Sequence, residues 1–447
     1  MRFSGFEELL SHFALTSPDA PALIYEDSEI KTCSYSMLHK AVMERAGSFR
    51  SSGNRCIGIL SDGSFDCVLT ILAANIAGLQ IVMLDANAPL SSLKGSIPYA
   101  DIDTLWGDEV LCEELSPLLT SGPSGEYADR ILFFTSGTTS SSKAVVLTGQ
   151  SLMSSAWNGS QKLPLSSSDT LLCMLPLGHV FGFVCGLLWG LSCGASVALG
   201  RGARHYIDDC LTFRPTALSV VPSLLSFLLG HDCLNNSLRV ILVGAGDCPP
   251  GLLTAVTATG IRVSFGYGLT ETSSGVAIST KGDPFAMEIC PDDEITIADD
   301  GEILIKAPTC IMQGYYKMPE ATTEAVIDGV LHSGDLGYID PQGLLHITGR
   351  KKDILVLEDG TKIFLPEYEA KLSASLGTAE LAVVLKNRRP VLVVSDDTLT
   401  EEEIRRKIRP VIDEYPRGQQ ITEIILRSAP IPRTATGKIQ RYRINLQ

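Results

Sequence analysis

The sequence predicts an α/β fold: a large N-terminal body of several subdomains, with mostly parallel sheets and flanking helices, followed by a small α+β C-terminal domain. Three observations carry this reading. Up to about residue 130, helical and strand periodicities take turns, the signature of parallel βα units. The alternation returns at ALSVVPSLLSFLLG, LRVILVGAG and IRVSFGYG, then gives way after Arg350 to a helix, two strands, a helix and a last strand. The chain has 447 residues, 45% of them hydrophobic, ample for full-sized cores and incompatible with a disordered or disulfide-stapled chain.

Taken in order, FEELLSHFAL reads as helix, PALIYED as strand, SMLHKAVMERAGSFRSSG as helix and CIGILS as strand. The run from Val68 to Leu84 is broken by Asn75, Gly78 and Gln80, so it reads as a core helix plus a strand. Between Asp169 and Arg201 no charged residue occurs. The bilayer-length stretch there holds five glycines and lacks a basic flank, so the expectation is a buried helix over about 181–191, a break at Gly194 and a strand over about 195–199. In the terminal domain EYEAKLSASL reads as helix, AELAVVLK and PVLVVSD as strands joined at NRRP, and TEEEIRRKIRPVIDEY as a helix opened by the capping box Thr400/Glu403.

A net charge of −15 argues against a binder of nucleic acid or anionic membrane, which needs a basic face. Twelve cysteines without a CxxC pair read as reduced thiols, and Glu7 and Glu8 stand where a signal-peptide core would begin. A cytoplasmic location with no integral membrane segment is the expectation. The histidines show no metal-binding HxxxH spacing, and no GxSxG elbow is present.

Chemistry concentrates in a few segments. In ILFFTSGTTSSSKAVVLT, eight consecutive Ser, Thr or Gly residues, Thr135 to Ser142, lead to Lys143 between two apolar strands. Hydroxyls, open backbone N–H groups and a terminal Lys suit phosphate oxygens, although the Walker pattern and its helix are absent. Gly244, Ala245 and Gly246 begin a G-x-G whose third glycine is missing, which suits a planar ring against backbone better than a dinucleotide. FGYGLTET follows a strand and offers Gly266, Tyr267, Gly268, Thr270 and Glu271, the last a hard oxygen ligand for Mg²⁺. Asp335 in a Gly-flanked turn suits a ribose diol and Arg350 a phosphate, with GRKKD as the interdomain linker. Lys438 lies in the Pro/Thr-rich PRTATGK.

In this order TSGTTSSSK, GAGDCP, YGLTE, GEILIKAPTCIMQGYY, SGD, GRKKD and PRTATGK resemble the adenylate-forming superfamily of acyl- and aryl-CoA ligases, adenylation domains and luciferases; GRKKDILVLEDGTKI with Pro366 and Glu369 is most similar to the fatty-acyl-CoA ligase branch. The resemblance implies activation of a carboxylic acid by MgATP to acyl-AMP and pyrophosphate, then transfer to CoA. It implies a body of residues 1–351 and a mobile domain of 352–447 that rotates about Lys352. Carried over by position, Thr135, Ser136, Gly137, Thr138 and Thr139 with Lys143 wrap the β/γ phosphates. Gly244 to Gly246 with Tyr267 and Gly268 hold adenine, Thr270 the α-phosphate and Glu271 the Mg²⁺. Asp335 binds the ribose, Arg350 the ribose and phosphate region, and Lys438 bridges carboxylate and α-phosphate. His179, Phe181 and Gly266 face the acyl group, which the apolar walls suggest is fatty or simple aryl. Other outcomes compatible with the motifs are loading of a carrier-protein phosphopantetheine and a weakly catalytic nucleotide-binding homologue. Ser140, Ser142 and Ala144 depart from the family's usual Gly, Pro and Gly, Ala307 replaces an expected Gly, and the segment around NRRP is compressed.

Overall fold

The computed structural model describes the chain except residues 136–142, 247, 358–361, 388, 397, 434–438 and 445–447. The apolar runs read as strands come together in two large sheets. In one, Arg262–Leu269, Val240–Val243, Ala217–Val220, Thr170–Cys173, Ser196–Leu199 and Pro21–Asp27 are parallel neighbours in that order. Antiparallel strands close its edges: Ser274–Ile278 and Glu288–Ile289 on one side, Glu29–Ser34 on the other. In the second sheet Thr104–Trp106, Cys56–Ser61, Gln80–Asp85 and Arg130–Phe134 run parallel, then Ala144–Thr148 and Gly314–Tyr315 antiparallel. Helix Phe65–Ala77 is buried at every residue from Cys67 to Ala74, as a helix apolar on all sides must be. One hydrophobic core runs through both sheets, from Phe6 and Leu9 to Val243 and Tyr267.

The stretch between Asp169 and Arg201 is interior, and among the described residues no helix is long and apolar enough to cross a membrane. Its helix begins with a π-helical segment, Gly182–Leu188, continues as Trp189–Ser192 and leads to strand Ser196–Leu199. The glycines that weaken it on propensity serve its packing. A Cβ on Gly182 would overlap the Pro176 carbonyl, one on Gly186 would stand 3.1 Å from Cys173 Sγ, and one on Gly190 2.6 Å from the Val197 side chain. With glycine at these positions the helix lies directly on strands Thr170–Cys173 and Ser196–Leu199.

An antiparallel sheet of Glu294–Ile297, Glu302–Lys306, Val326–Ile327, Val330–Ile339 and Leu345–Arg350 was not foreseen as a sheet. Its strands are half-exposed, so they show alternation over a few residues rather than an apolar run. Beyond it, helix Leu365–Leu376, the hairpin Leu381–Lys386 and Arg389–Val394, helix Glu401–Ile412 and strand Glu423–Leu426 enclose a hydrophobic cluster of their own around Tyr368, Leu392 and Ile404. The Thr400/Glu403 capping box forms as expected. All twelve cysteines are free thiols.

One buried acid makes stability pH-dependent. Asp293 is 7% exposed; its Oδ2 accepts a hydrogen bond from Asn158 Nδ2 at 2.7 Å, and its Oδ1 has no partner. Burial, reinforced by the Asp292 charge, pushes its pKa up to about 7. Between the unfolded carboxyl pKa of about 3.9 and this native value the folded state binds more protons, so this group's contribution to stability falls as pH rises through that window. Asp293→Asn removes the charge and keeps the shape. Thermal unfolding at pH 8, 6 and 4 is expected to show a higher melting temperature for the variant at pH 8, with the gap narrowing toward pH 4; a pH-independent gap contradicts a buried ionised Asp293.

Candidate active site

The register Val220↔Val243↔Phe265 aligns the carboxyl ends of three adjacent parallel strands, where open α/β sheets bind ligands. The chain leaving those ends, through Val221, Gly244–Gly246 and Gly266–Gly268, walls a cleft of about 1770 Å³. A Cβ on Gly244 would stand 3.1 Å from the Phe181 ring, so the ring packs against bare backbone, and Ala245 takes a left-handed φ of +63°. The strand Arg262–Leu269 runs on into FGYGLTET. Gly266 to Leu269 outrun the parallel neighbour and pair antiparallel with Ser274–Ile278. Gly268 is required there because a Cβ would overlap the Ser274 carbonyl. The 3₁₀ turn Thr270–Thr272 then carries Thr270 and Glu271 to the cleft.

A buried ionic cluster joins two sheets at the rim. Asp335 and Arg350 face each other in the antiparallel register, with Arg350 Nε 2.9 Å from Asp335 Oδ1. Tyr267, from the nine-stranded sheet, donates its phenol O–H to Asp335 Oδ2 at 2.9 Å. Asp335 is 3% exposed. Burial, with the Asp335 charge next in weight, raises the Tyr267 phenol well above its ordinary value and keeps it a donor.

Across the cleft Thr135 and Lys143 close the mouth of a hairpin: Thr135 N–H donates to Lys143 O at 2.9 Å, and Lys143 N–H to Thr135 Oγ1 at 3.3 Å. The Lys143 ammonium lies 4.2 Å from the centre of the Tyr315 ring. Tyr315 donates its O–H to Glu271 Oε1 at 2.8 Å, so one aromatic residue spans the expected phosphate-loop lysine and the expected metal carboxylate. No role was foreseen for Tyr315, although it stands in the motif GEILIKAPTCIMQGYY. The available signal was Gly314, whose φ of +147° and contact with Thr322 fix the short strand that pairs Tyr315 with Val145. His179 is half-buried and lines the cleft with Phe181, its carbonyl accepting from Phe183 N at 2.9 Å. Ser136, Gly137, Thr138, Thr139 and Lys438 lie outside the described residues.

Two clamps flank Lys352. Lys351 binds Asp300 at 2.7 Å and Glu302 at 2.6 Å, whereas Asp353 lies 3.6 Å from Arg441, which holds buried Glu369 at 2.5 Å. Glu369 and its neighbours Pro366 and Ala370, on helix Leu365–Leu376, form part of the cleft's wall.

Because Tyr315 touches both Lys143 and Glu271, two substitutions separate its contacts. Tyr315→Phe keeps the aromatic face for Lys143 and removes the hydrogen bond to Glu271; Tyr315→Leu removes both. A hydrogen bond to a charged group contributes about 1.5–3 kcal/mol, so titration with MgATP in the absence of acid is expected to show affinity about ten-fold weaker for Tyr315→Phe and weaker again for Tyr315→Leu. Equal affinities for all three proteins contradict a positioning role.

Residues 128–316 match the family model of the AMP-binding enzymes. A 2-succinylbenzoate–CoA ligase of Bacillus cytotoxicus is 28% identical over 470 aligned residues, spanning 96% of each chain. Among solved structures, O-succinylbenzoate coenzyme A synthetase of Bacillus subtilis in complex with AMP aligns with a TM-score of 0.82 at 24% identity, over 98% of this chain and 97% of that one. It has also been solved with ATP and magnesium ion. An anthranilate CoA ligase in complex with anthranoyl-AMP aligns with a TM-score of 0.80 at 20% identity, over 99% and 96%. These relatives are named for aryl acids, so the fatty-acyl half of the expected substrate range finds no support here. Residues 128–316 are thus an AMP-binding enzyme domain, and over nearly its whole length the chain is similar to AMP-forming acid–CoA ligases.

Proposed function

We propose that this protein activates an aromatic carboxylic acid as its acyl-adenylate, releasing pyrophosphate from ATP, and then passes the acyl group to the thiol of CoA. The observation that carries the reading is the convergence on one cleft of Lys143, Glu271 held by Tyr315, and the Asp335–Arg350–Tyr267 cluster. Attack of a carboxylate on a phosphate brings two anions together, so the protein's work is positioning and cationic stabilisation. In this reading Thr135 and Lys143, with Ser136, Gly137, Thr138 and Thr139, hold the β/γ phosphates. Gly244 to Gly246 and Tyr267 enclose adenine beside Gly268, Thr270 meets the α-phosphate, and Asp335 and Arg350 take the ribose and its phosphate. His179, Phe181 and Gly266 direct the acid toward the phosphorus, and Lys438 bridges the two reacting groups.

Glu271 suits Mg²⁺: it is a hard oxygen donor at the cleft, and Mg²⁺ is commonly held by one or two carboxylates together with substrate phosphates. When bound, Mg²⁺ neutralises developing charge on the phosphates.

Residues 1–351 form the adenylating domain and 352–447 a domain that rotates about Lys352. The clamps support this: Lys351 is tied to the body through Asp300 and Glu302, Asp353 to the terminal domain through Arg441, and Lys352 stands between them. The CoA ligase names of the relatives favour CoA over a carrier-protein thiol. Retention of Glu271, Asp335, Arg350 and Lys438 favours a working enzyme over a binding module.

Losing one preorganised stabiliser commonly costs about 3–4 kcal/mol in the transition state, so Lys438→Ala is expected to lower acid-dependent ATP–pyrophosphate exchange by about two to three orders of magnitude. Thioester formation from supplied acyl-AMP should remain largely intact; equal loss of both half-reactions contradicts the assignment. Lys352→Pro is expected to slow thioester formation more than adenylation, and unchanged rates for both contradict rotation at this residue.

A further inference from the structure

One apolar part of the cleft wall comes from helix Gly149–Lys162, the helical run 182–192 and strand Ser274–Ile278. The space between two of these is narrow: a Cβ on Gly159 would stand 3.5 Å from Ile278 Cδ1. Ala156, Val184, Trp189 and Ile278 make the walls apolar. Their polar groups are mostly satisfied. Trp189 donates its indole N–H to Leu163 O at 2.9 Å, and the Cys185 thiol and Ser274 hydroxyl meet at 3.5 Å. Ser155 differs. It lines the same chamber, is 3% exposed, and its hydroxyl has no hydrogen-bond partner in the protein.

Among the described residues these wall elements carry one cation, Lys162, which does not line the cleft. Lys162, at the end of the helix that carries Ser155, is paired with Glu288 at 2.8 Å. The cations that line the cleft lie elsewhere: Lys143 on the Tyr315 ring, Arg350 on Asp335, Lys352 at the hinge, and Arg433 and Arg441 in the terminal domain. His179 precedes the helical run beside Phe181, which packs on Gly244 at the nucleotide rim.

Resting on the acid-activation reading above, we propose that this chamber selects an aromatic monocarboxylic acid bearing one neutral hydrogen-bonding substituent, a ring hydroxyl or amino group that pairs with Ser155, and rejects an acid with a second carboxylate such as 2-succinylbenzoate. A buried hydroxyl without a partner is unfavourable, and a substrate group that completes it is bound in preference to the analogue that lacks it. A second carboxylate would be desolvated there with no cation to pair it.

The test is ATP–pyrophosphate exchange by the full-length protein with benzoate, the hydroxy- and aminobenzoates, 2-succinylbenzoate and a medium-chain fatty acid. The best hydroxy- or aminobenzoate is expected to exceed benzoate in kcat/KM by about ten-fold and 2-succinylbenzoate by about a hundred-fold. Ser155→Ala should bring the first ratio close to one, with nucleotide titration confirming that the variant is folded; if the variant fails to fold, the wild-type panel decides. Greatest activity with 2-succinylbenzoate or the fatty acid, or equal activity with benzoate and its substituted forms, overturns the proposal and leaves acid activation standing. Exchange with none of the acids overturns the acid-activation reading and this proposal with it.

Discussion

The site depends on one buried carboxylate. Asp335 comes from the antiparallel sheet, accepts from Tyr267 of the parallel sheet, and pairs with Arg350 at the end of strand Leu345–Arg350. A desolvated carboxylate is costly unless its charge is matched and its oxygens are hydrogen-bonded, and here both oxygens have named partners. That requirement fixes how the two sheets meet. Sliding the strand Leu345–Arg350 by one residue would turn Arg350 to the opposite face and leave Asp335 uncompensated. The orientation of the chain leaving Arg350 is therefore set by the electrostatics of this cluster.

Glu271 is positioned by a different means. Its support is a phenol from strand Gly314–Tyr315, which belongs to the six-stranded sheet, so a carboxylate at the end of one sheet is oriented by the edge of another. The same ring offers its face to Lys143. A cation over a ring keeps its charge and loses less water than it would in a salt bridge, so it can be transferred to an anionic ligand without first breaking an ion pair. Glu271 and Lys143 thereby share one tyrosine, the first through its hydroxyl and the second through its face.

Much of the fold was legible because its parallel strands are buried on both faces and read as uninterrupted apolar runs: VILV at Val240–Val243 is buried at all four positions. The antiparallel sheet was not, since EITI at Glu294–Ile297 buries Ile295 while Glu294 and Thr296 are exposed. Likewise, the glycine spacing from Gly178 to Gly194 looked like a defect in a helix, because propensity counts only the helix's own backbone; the strands it lies on are distant in sequence. For the site, Gly, Asp, Arg and Lys in short ordered motifs pointed to one cleft. Tyr315 and Ser155 escaped notice because an aromatic residue in a strand and a serine in a helix do not announce what they touch; their meaning arises, for Tyr315, from Glu271 and Lys143, both distant in sequence, and for Ser155 from the lack of any partner.

The charge balance acquires a physical sense from these contacts. With a net charge of −15 the molecule offers an anionic nucleotide no attraction in bulk, so affinity must arise over distances shorter than the screening length of about 8 Å at physiological salt. The cleft cations are each kept in place before any ligand arrives: Lys143 by a ring, Arg350 by Asp335, Arg441 by Glu369. Holding them costs side-chain entropy at folding rather than at binding, which is the condition under which a few charges stabilise a transition state strongly. The acidic surface then acts as a filter. Polyanions that must spread over a wide face are repelled, whereas within the cleft Lys143, Arg350 and Arg441 stand beside Glu271, Asp335 and Glu369. The apolar wall that holds Ser155 extends the same logic: its one cation among the described residues, Lys162, is already paired with Glu288, so a second carboxylate placed there would lose its water with no charge to match it.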